Sequence, residues 1–202
     1  MTAMHWQTTR FRIPLQQPLV MGIVNATPDS FSDGGLHADA LSAQAHCDRL
    51  VADGAHLLDI GGESTRPGAR QPTLDEELAR VLPVLRHAVT LGVPVSVDTS
   101  QPAVMQAALD LGVDIVNDVR SLLQPGALAV VAAHPACGVC LMHMQGEPGV
   151  MQQAPHYDGD VVDAVADWLQ QRLAAVQAAG VAAEHIALDP GIGFGKTPAH
   201  NW

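Results

Sequence analysis

Hydrophobic positions in this chain come in two alternating textures. Short runs of β-branched and aliphatic residues have no helical period, and each stops abruptly at polar residues. Between them lie stretches in which apolar residues recur every three or four positions, the pattern of a helix with one buried face. The first run, Leu19–Asn25, predicts a strand buried on both sides, as in a parallel sheet. It leads into A-T-P-D-S-F-S-D-G-G, after which Asp39 predicts the cap of a helix carrying Leu41, Ala45, Leu50 and Val51 and ending at Gly54. Ala55–Ile60 predicts a second strand, followed by G-G-E-S-T-R-P-G. Thr73 with Glu76 has capping-box spacing and opens a helix towards Gly92.

Val93–Val97 predicts the third strand, ending at Asp98. Pro102 starts a helix that stops at Gly112. The fourth strand, Val113–Val116, ends in Asn117-Asp118. A short helix around Ala127–Ala133 leads to a fifth strand, Gly138–Met144. A long helix, Asp160–Ala179, then gives way to a sixth strand, His185–Leu188, and to D-P-G-I-G-F-G-K. Residues 1–18 predict a lead-in, a short hairpin plugging one end of the fold.

Strands alternating with helices imply a parallel sheet. A chemically capable residue follows every strand: Asn25; then Glu63, Thr65 and Arg66; Asp98; Asn117; the segment from Met142 to Gln145; and Asp189. In a doubly wound sheet only the loops at a topological switch point would converge, whereas in a barrel all of them ring one mouth. The sequence therefore predicts an α/β fold of the (β/α)8 TIM-barrel class, as a single domain over residues 1–202. A barrel of this class has eight units in about 250 residues. Only about six of the eight βα units are present in this chain, which reads as incomplete at the C-terminus.

Composition narrows the function. Of 202 residues 48% are hydrophobic, so the chain can bury a full core, and 21 acidic against 10 basic residues give a net charge of −11. That balance argues against nucleic acid as a partner, because phosphate neutralisation needs a basic face. The longest apolar tract, Ala127–Met142, is broken by His134, Pro135 and Gly138 and falls short of a membrane span of roughly 20 residues. The first residues lack the basic start and apolar run of a secretory signal, so a cytoplasmic protein is expected. Three cysteines make no disulfide framework. Cys137 and Cys140 form C-x-x-C, but residues three apart on a strand face opposite sides, which favours buried strand positions over zinc or redox chemistry.

Asp98, Asn117 and Asp189 are the strongest candidates for binding. Each alone could cap a loop, but three at one barrel end suit a flat ligand edge rich in N–H donors, since an ionised carboxylate accepts two parallel bonds. Gly191 to Lys196 invites a phosphate-loop reading, which fails because the required first glycine is Pro190. Those glycines are expected to let backbone approach a ligand held by Asp189. Gly61 to Gly68 joins N–H groups, hydroxyls and Arg66 in a possible anion cradle, or else forms a surface turn. Phe31, one of seven aromatics, reads as a lid over a ligand or as a loop anchor. His143 alternates with Met142 and Met144 and is expected in the helix layer, not in a metal set.

N-A-T-P-D-S-F-S-D-G-G, G-G-E-S-T-R-P-G, V-D-T-S, V-N-D-V, L-M-H-M-Q-G and D-P-G-I-G-F-G-K, in this order, resemble the dihydropteroate synthases, folate-pathway enzymes and targets of sulfonamide drugs. The resemblance covers nearly the whole chain from about residue 18. It implies a transferase in which 4-aminobenzoate displaces diphosphate from a dihydropterin diphosphate. It further implies that Asp98, Asn117 and Asp189 hold the pterin edge and Met142 packs on the ring. Asn25 would bind Mg²⁺ with the diphosphate, and Thr65 and Arg66 would meet the diphosphate and aminobenzoate. Phe31 and Pro67 would line the aminobenzoate pocket, while Asp33 helps order the closed site. Asp98, Arg66 and Asp33 are the residues expected to act in catalysis, and a homodimer is the state expected of the full-length protein. Family members also bring a lysine and an arginine–histidine pair from two further strands, for which this chain has no residues. The chain alone is therefore expected to be poorly soluble or inactive. The other readings are a non-catalytic pterin-binding remnant or gene fragment, and a methyltetrahydrofolate-dependent methyltransferase, against which the T-P-D-S-F-S-D-G-G loop argues.

Overall fold

The computed structural model describes residues 4–27, 35–64, 70–146, 151–152 and 154–201. Two short strands come first, β1 (His5–Gln7) and β2 (Arg12–Pro14), paired antiparallel with Trp6 opposite Ile13. Trp6 and Ile13 pack on Leu57 and Ile115, at the amino-terminal end of the main sheet. The Trp6 indole donates to the His185 carbonyl at 2.8 Å. Arg10 grips Asp114 with two parallel bonds, Nε to Oδ1 at 3.0 Å and Nη2 to Oδ2 at 2.6 Å. The lead-in is thus a hairpin plug, as its sequence suggests.

The main sheet has six parallel strands: β3 (Met21–Asn25), β4 (Leu57–Gly61), β5 (Val95–Asp98), β6 (Ile115–Asp118), β7 (Gly138–Met142) and β8 (Ile186–Asp189). They hydrogen-bond in chain order with no reversal. That order excludes a doubly wound sheet, whose strand order reverses at a switch point. The helices α1 (Gly35–Ala52), α2 (Leu74–Ala88), α3 (Pro102–Asp110), α4 (Ala127–Ala132) and α5 (Val161–Ala178) each follow one of the first five of these strands. These are six strands of a parallel α/β barrel wall. Among the described residues β3 and β8 have no second neighbour.

Register separates the two faces. Val24, Leu58, Ile60, Val95, Val97, Val116, Val139 and Leu141 point outward and share one core with α1 to α5. The alternate positions Met21, Leu57, Ile115, Cys140 and Ala187 point inward, towards the hairpin plug. Both faces are therefore covered at the base, which explains why these strands read as near-continuous apolar runs. Cys137 belongs to the helix-side core and Cys140 faces inward, so the C-x-x-C pair is split by the pleat.

Several boundaries differ from the sequence reading, and β7 stops at Met142, two residues before the expected Met144. Most strands run one or two residues further than the apolar run, so Asp98, Asn117 and Asp189 belong to strands and are not loop residues. Asp39 lies within α1 and not at its cap. Of the predicted apolar period, Leu50 and Val51 pack on the core, but Leu41 is 53% exposed and the buried face is made by Ala40, Ala43 and Cys47. Thr73 does cap α2: its hydroxyl accepts from the Glu76 N–H at 3.3 Å, and Glu76 Oε2 accepts from the Thr73 N–H at 2.8 Å.

Candidate active site

Strand pairing places Asn25, Gly61, Asp98, Asn117, Cys140 and Ala187 side by side across all six strands, on the inner face. Met142 and Asp189, also paired, stand two residues nearer the carboxyl ends on the same face. One tier below lie Ile23, Asp59, Ser96 and Ile115. Adjacent strands are about 4.8 Å apart, so the Asp98 and Asn117 side chains adjoin. Five expected site residues, Asn25, Asp98, Asn117, Met142 and Asp189, therefore share one face and one end of the sheet. Phe31, Asp33, Thr65, Arg66 and Pro67 lie outside the described residues.

Gly61 makes room for Asp98. A Cβ there would stand 3.3 Å from Asp98 Oδ2, tighter than an ordinary contact. The carboxyl of Asp98 is held well above the usual range, first by burial and then by the like charges of Asp59, Asp118, Glu63 and Glu77. Asp59, in the middle of β4, is also raised by burial, partly offset by hydrogen bonding to Ser96 and then to Asn117. Asn117 Nδ2 donates to Asp59 Oδ2 at 3.0 Å.

Behind the inner face, a polar layer braces the strand exits. Glu77 of α2 is buried and accepts from Thr99 Oγ1 at 2.5 Å. Asp118 accepts from the Ser100 hydroxyl and from the Arg120 and Leu122 N–H groups at 2.8 and 2.7 Å. Those bonds hold Ser121 and Leu122 at φ of 52° and 60°, a left-handed turn uncommon for side-chain-bearing residues. Arg172 of α5 clamps the same turn through the Leu122 carbonyl at 2.8 Å, and Ser121 Oγ donates to the Met142 carbonyl at 2.7 Å. The β6 exit turn thus fixes where Met142 stands. A cavity of about 220 Å³, lined by Val119, Arg120, Met142 and Trp168 among others, opens between this turn and α5 and meets the inner face through Met142.

The loop after β8 packs back on the segment leaving β7. Asp189 Oδ1 accepts the Gly191 N–H at 2.7 Å, leaving its other oxygen for a ligand. A Cβ at Gly191 would fall 2.0 Å from the His143 carbonyl, and one at Gly195 2.7 Å from the Gln145 carbonyl. These glycines let the loop lie against the backbone leaving β7. Lys196, the single lysine, is buried and donates to the Gly191 and Phe194 carbonyls at 3.0 and 3.2 Å. It staples this loop. Its Nζ also lies 3.1 Å from Nδ1 of His143. His143 packs edge-on to Trp168 of α5, in the helix layer as its alternation with Met142 suggests.

Among the described residues no group of three or more His, Cys, Asp or Glu could hold a metal ion. Asn25 offers one exposed amide oxygen at the end of β3. That fits Mg²⁺, which keeps several waters and takes few protein ligands when substrate phosphates supply the rest. The residue that sequence reasoning missed is Asp59. It sits inside an apolar run, and its parity with Gly61 two positions on was the available signal.

A parallel barrel wall with carboxylates and an amide at its carboxyl-terminal mouth belongs to the pterin-binding enzymes, and the profile described as "Pterin binding enzyme" matches residues 21–202. The relatives are more specific. Dihydropteroate synthase of Neisseria meningitidis serogroup C is 52% identical over 198 residues, 97% of this chain and 70% of the relative. The Escherichia coli K12 enzyme is 49% identical over 191 residues, 94% and 67% of the two chains. Solved structures agree. The Yersinia pestis enzyme with a sulfonamide drug complex has a TM-score of 0.90 at 47% identity, covering 98% of this chain and 72% of that one. The Burkholderia cenocepacia enzyme complexed with 7,8-dihydropteroate has a TM-score of 0.85 at 49% identity, covering 96% and 66%. This chain belongs to the dihydropteroate synthase family, and it spans about two thirds to seven tenths of the length of these relatives.

Proposed function

We propose that the mouth at the carboxyl ends of β3 to β8 binds the dihydropterin substrate of the family's reaction. Family membership makes the chain a transferase of folate biosynthesis. 4-Aminobenzoate displaces diphosphate from 6-hydroxymethyl-7,8-dihydropterin diphosphate, giving 7,8-dihydropteroate. The observation that carries this reading is the adjacency of Asp98 and Asn117 on the inner face, with Asp189 and Met142 above them on the same face. Three acceptor side chains suit the N–H edge of a pterin, and the Met142 thioether suits packing on its ring.

The chemistry follows from charge. As the bond to the leaving diphosphate breaks, positive charge develops on the methylene and spreads into the heterocycle. Asp98 stands where it can stabilise that charge. In the empty mouth its carboxyl holds a proton readily, because burial and its acidic neighbours disfavour the anion. Ring N–H donors reverse that preference, so ligand binding and ionisation of Asp98 go together. Asn25 would hold Mg²⁺ with the diphosphate oxygens, and the ion would supply neutralisation of the leaving group. Thr65 and Arg66 would meet the diphosphate and aminobenzoate, Phe31 and Pro67 would line the aminobenzoate pocket, and Asp33 would help order closure. Water would otherwise trap the cation, and closure over both substrates excludes it.

Calorimetric titration with a pterin tests the mouth independently of turnover. Replacing Asp189 with alanine removes a charged acceptor, with an expected loss of about 1.5–3 kcal/mol for each bond. Unchanged affinity in Asp189→Ala would remove Asp189 from the site.

A further inference from the structure

Asp59 is an expensive residue for the position it holds. It is 5% exposed, in the middle of β4, and faces the barrel interior between Leu57 below and Gly61 above. Its Oδ2 accepts from Asn117 at 3.0 Å. Ser96, its register partner on β5, adjoins it, and hydrogen bonding to Ser96 offsets part of the cost of burial. Even so, a buried carboxylate gives up hydration that an aliphatic side chain at the same place would never have had. Packing does not ask for it.

The bond to Asn117 supplies the reason. An amide can present either its N–H₂ or its carbonyl oxygen, and only the surrounding hydrogen bonds decide which. An ionised carboxylate only accepts, and the bond from Asn117 favours that form of Asp59 against the cost of burial. With Asp59 beneath it, Asn117 must turn Nδ2 down into the wall, so Oδ1 is left for the mouth. We infer that Asp59 is a specificity-determining positioning residue: by fixing the amide of Asn117, it makes the inner face all-acceptor and selects ligands whose facing edge donates.

This rests on the pterin-site reading above, in which Asp98, Asn117 and Asp189 meet a donor-rich heterocycle edge. Asp59 does not touch the ligand; it acts through Asn117. Without it, the amide could present its N–H₂ group to the ligand's own N–H donors, a repulsive arrangement.

The test is an exchange of the pair, with 2-amino-4-oxopteridine as the probe and calorimetry on the full chain. Asp59→Asn keeps the shape but replaces the pure acceptor with a group that can also donate, so Asn117 is no longer forced. Affinity is expected to fall by about tenfold, in line with losing one well-made hydrogen bond. The double variant Asp59→Asn with Asn117→Asp restores a pure acceptor toward the mouth and keeps the number of carboxylates. It is expected to bind within about threefold of wild type. Circular dichroism and thermal midpoints establish that each variant is folded, and if the single variant is not, the double variant decides alone. Wild-type affinity in the single variant, or no recovery in the double, overturns the inference while leaving the pterin reading intact. Absence of binding by the wild-type chain defeats both.

Discussion

At the level of single residues, burial and charge make two opposite claims on pH. The Asp98 carboxyl is raised well above its ordinary value near 3.8, so the folded chain holds a proton that the unfolded chain releases. Its contribution to stability is present below that ordinary value and is lost as pH rises through the raised one. Asp98→Asn is therefore expected to raise the thermal midpoint at neutral pH and to flatten its fall above the ordinary carboxylate range, while weakening pterin binding. Melting curves across pH check this, and a variant whose midpoint falls at neutral pH would contradict it. His143 works in the other sense. Burial, then the Lys196 charge, lowers it from 6.5 to about 4, so its share of stability is present above pH 6.5 and is lost as pH falls through 4. Asp98, Asn117 and Asp189 were legible in the sequence because each ends an apolar run. Asp59 was not, because nothing local distinguishes an inward carboxylate within a strand from an outward one. Lys196 was not assigned a role from the sequence, because its three partners lie on the loop and on β7's exit and show only in the fold.

Among the elements, α2 was read most fully. Its start is a local matter of Thr73 and Glu76 exchanging bonds across three residues, and no distant contact is needed to specify it. Thr73→Ala is expected to cost about 1 kcal/mol, read as a lowered midpoint in chemical denaturation. Because α2 also carries Glu77 and Arg80, which bind Thr99 Oγ1 and the Gly62 carbonyl, fraying of its first turn should loosen the exits of β4 and β5. A Thr73→Ala chain with unchanged stability would mean the cap is redundant with packing. In helix α1 the apolar period picked out Leu50 and Val51 but missed the buried face at Ala40, Ala43 and Cys47, because small residues bury without standing out in an apolar pattern. Four strands run one or two residues past the expected end, where the ladder continues beyond the last apolar side chain, whereas β7 stops two residues short of Met144.

For the whole molecule, the consequence is an open wall. Val162, Ile192, Ile23 and Val20 are 59–70% exposed, and a groove of about 400 Å³ between α5 and the loop after β8 is lined by Val161, Val165, Leu169 and Pro190. Strand edges without a second neighbour among the described residues, with exposed apolar side chains beside them, favour association. Sedimentation velocity is expected to show species larger than the monomer as concentration rises, and Val162→Lys with Ile192→Lys to reduce them. A monomer at every concentration would overturn that expectation. No helix among the described residues is long and apolar enough to cross a membrane. The sequence by itself determined the order of strands and helices, the Thr73 cap and the polar residue closing each run, because these depend on period and on neighbours within a turn. Only the tertiary structure decided which side chains share the inner face, that Asn117 answers to Asp59 fifty-eight residues away, and that Lys196 is a staple. Register between strands fixes those facts, and register is a property of the paired sheet, not of any one segment.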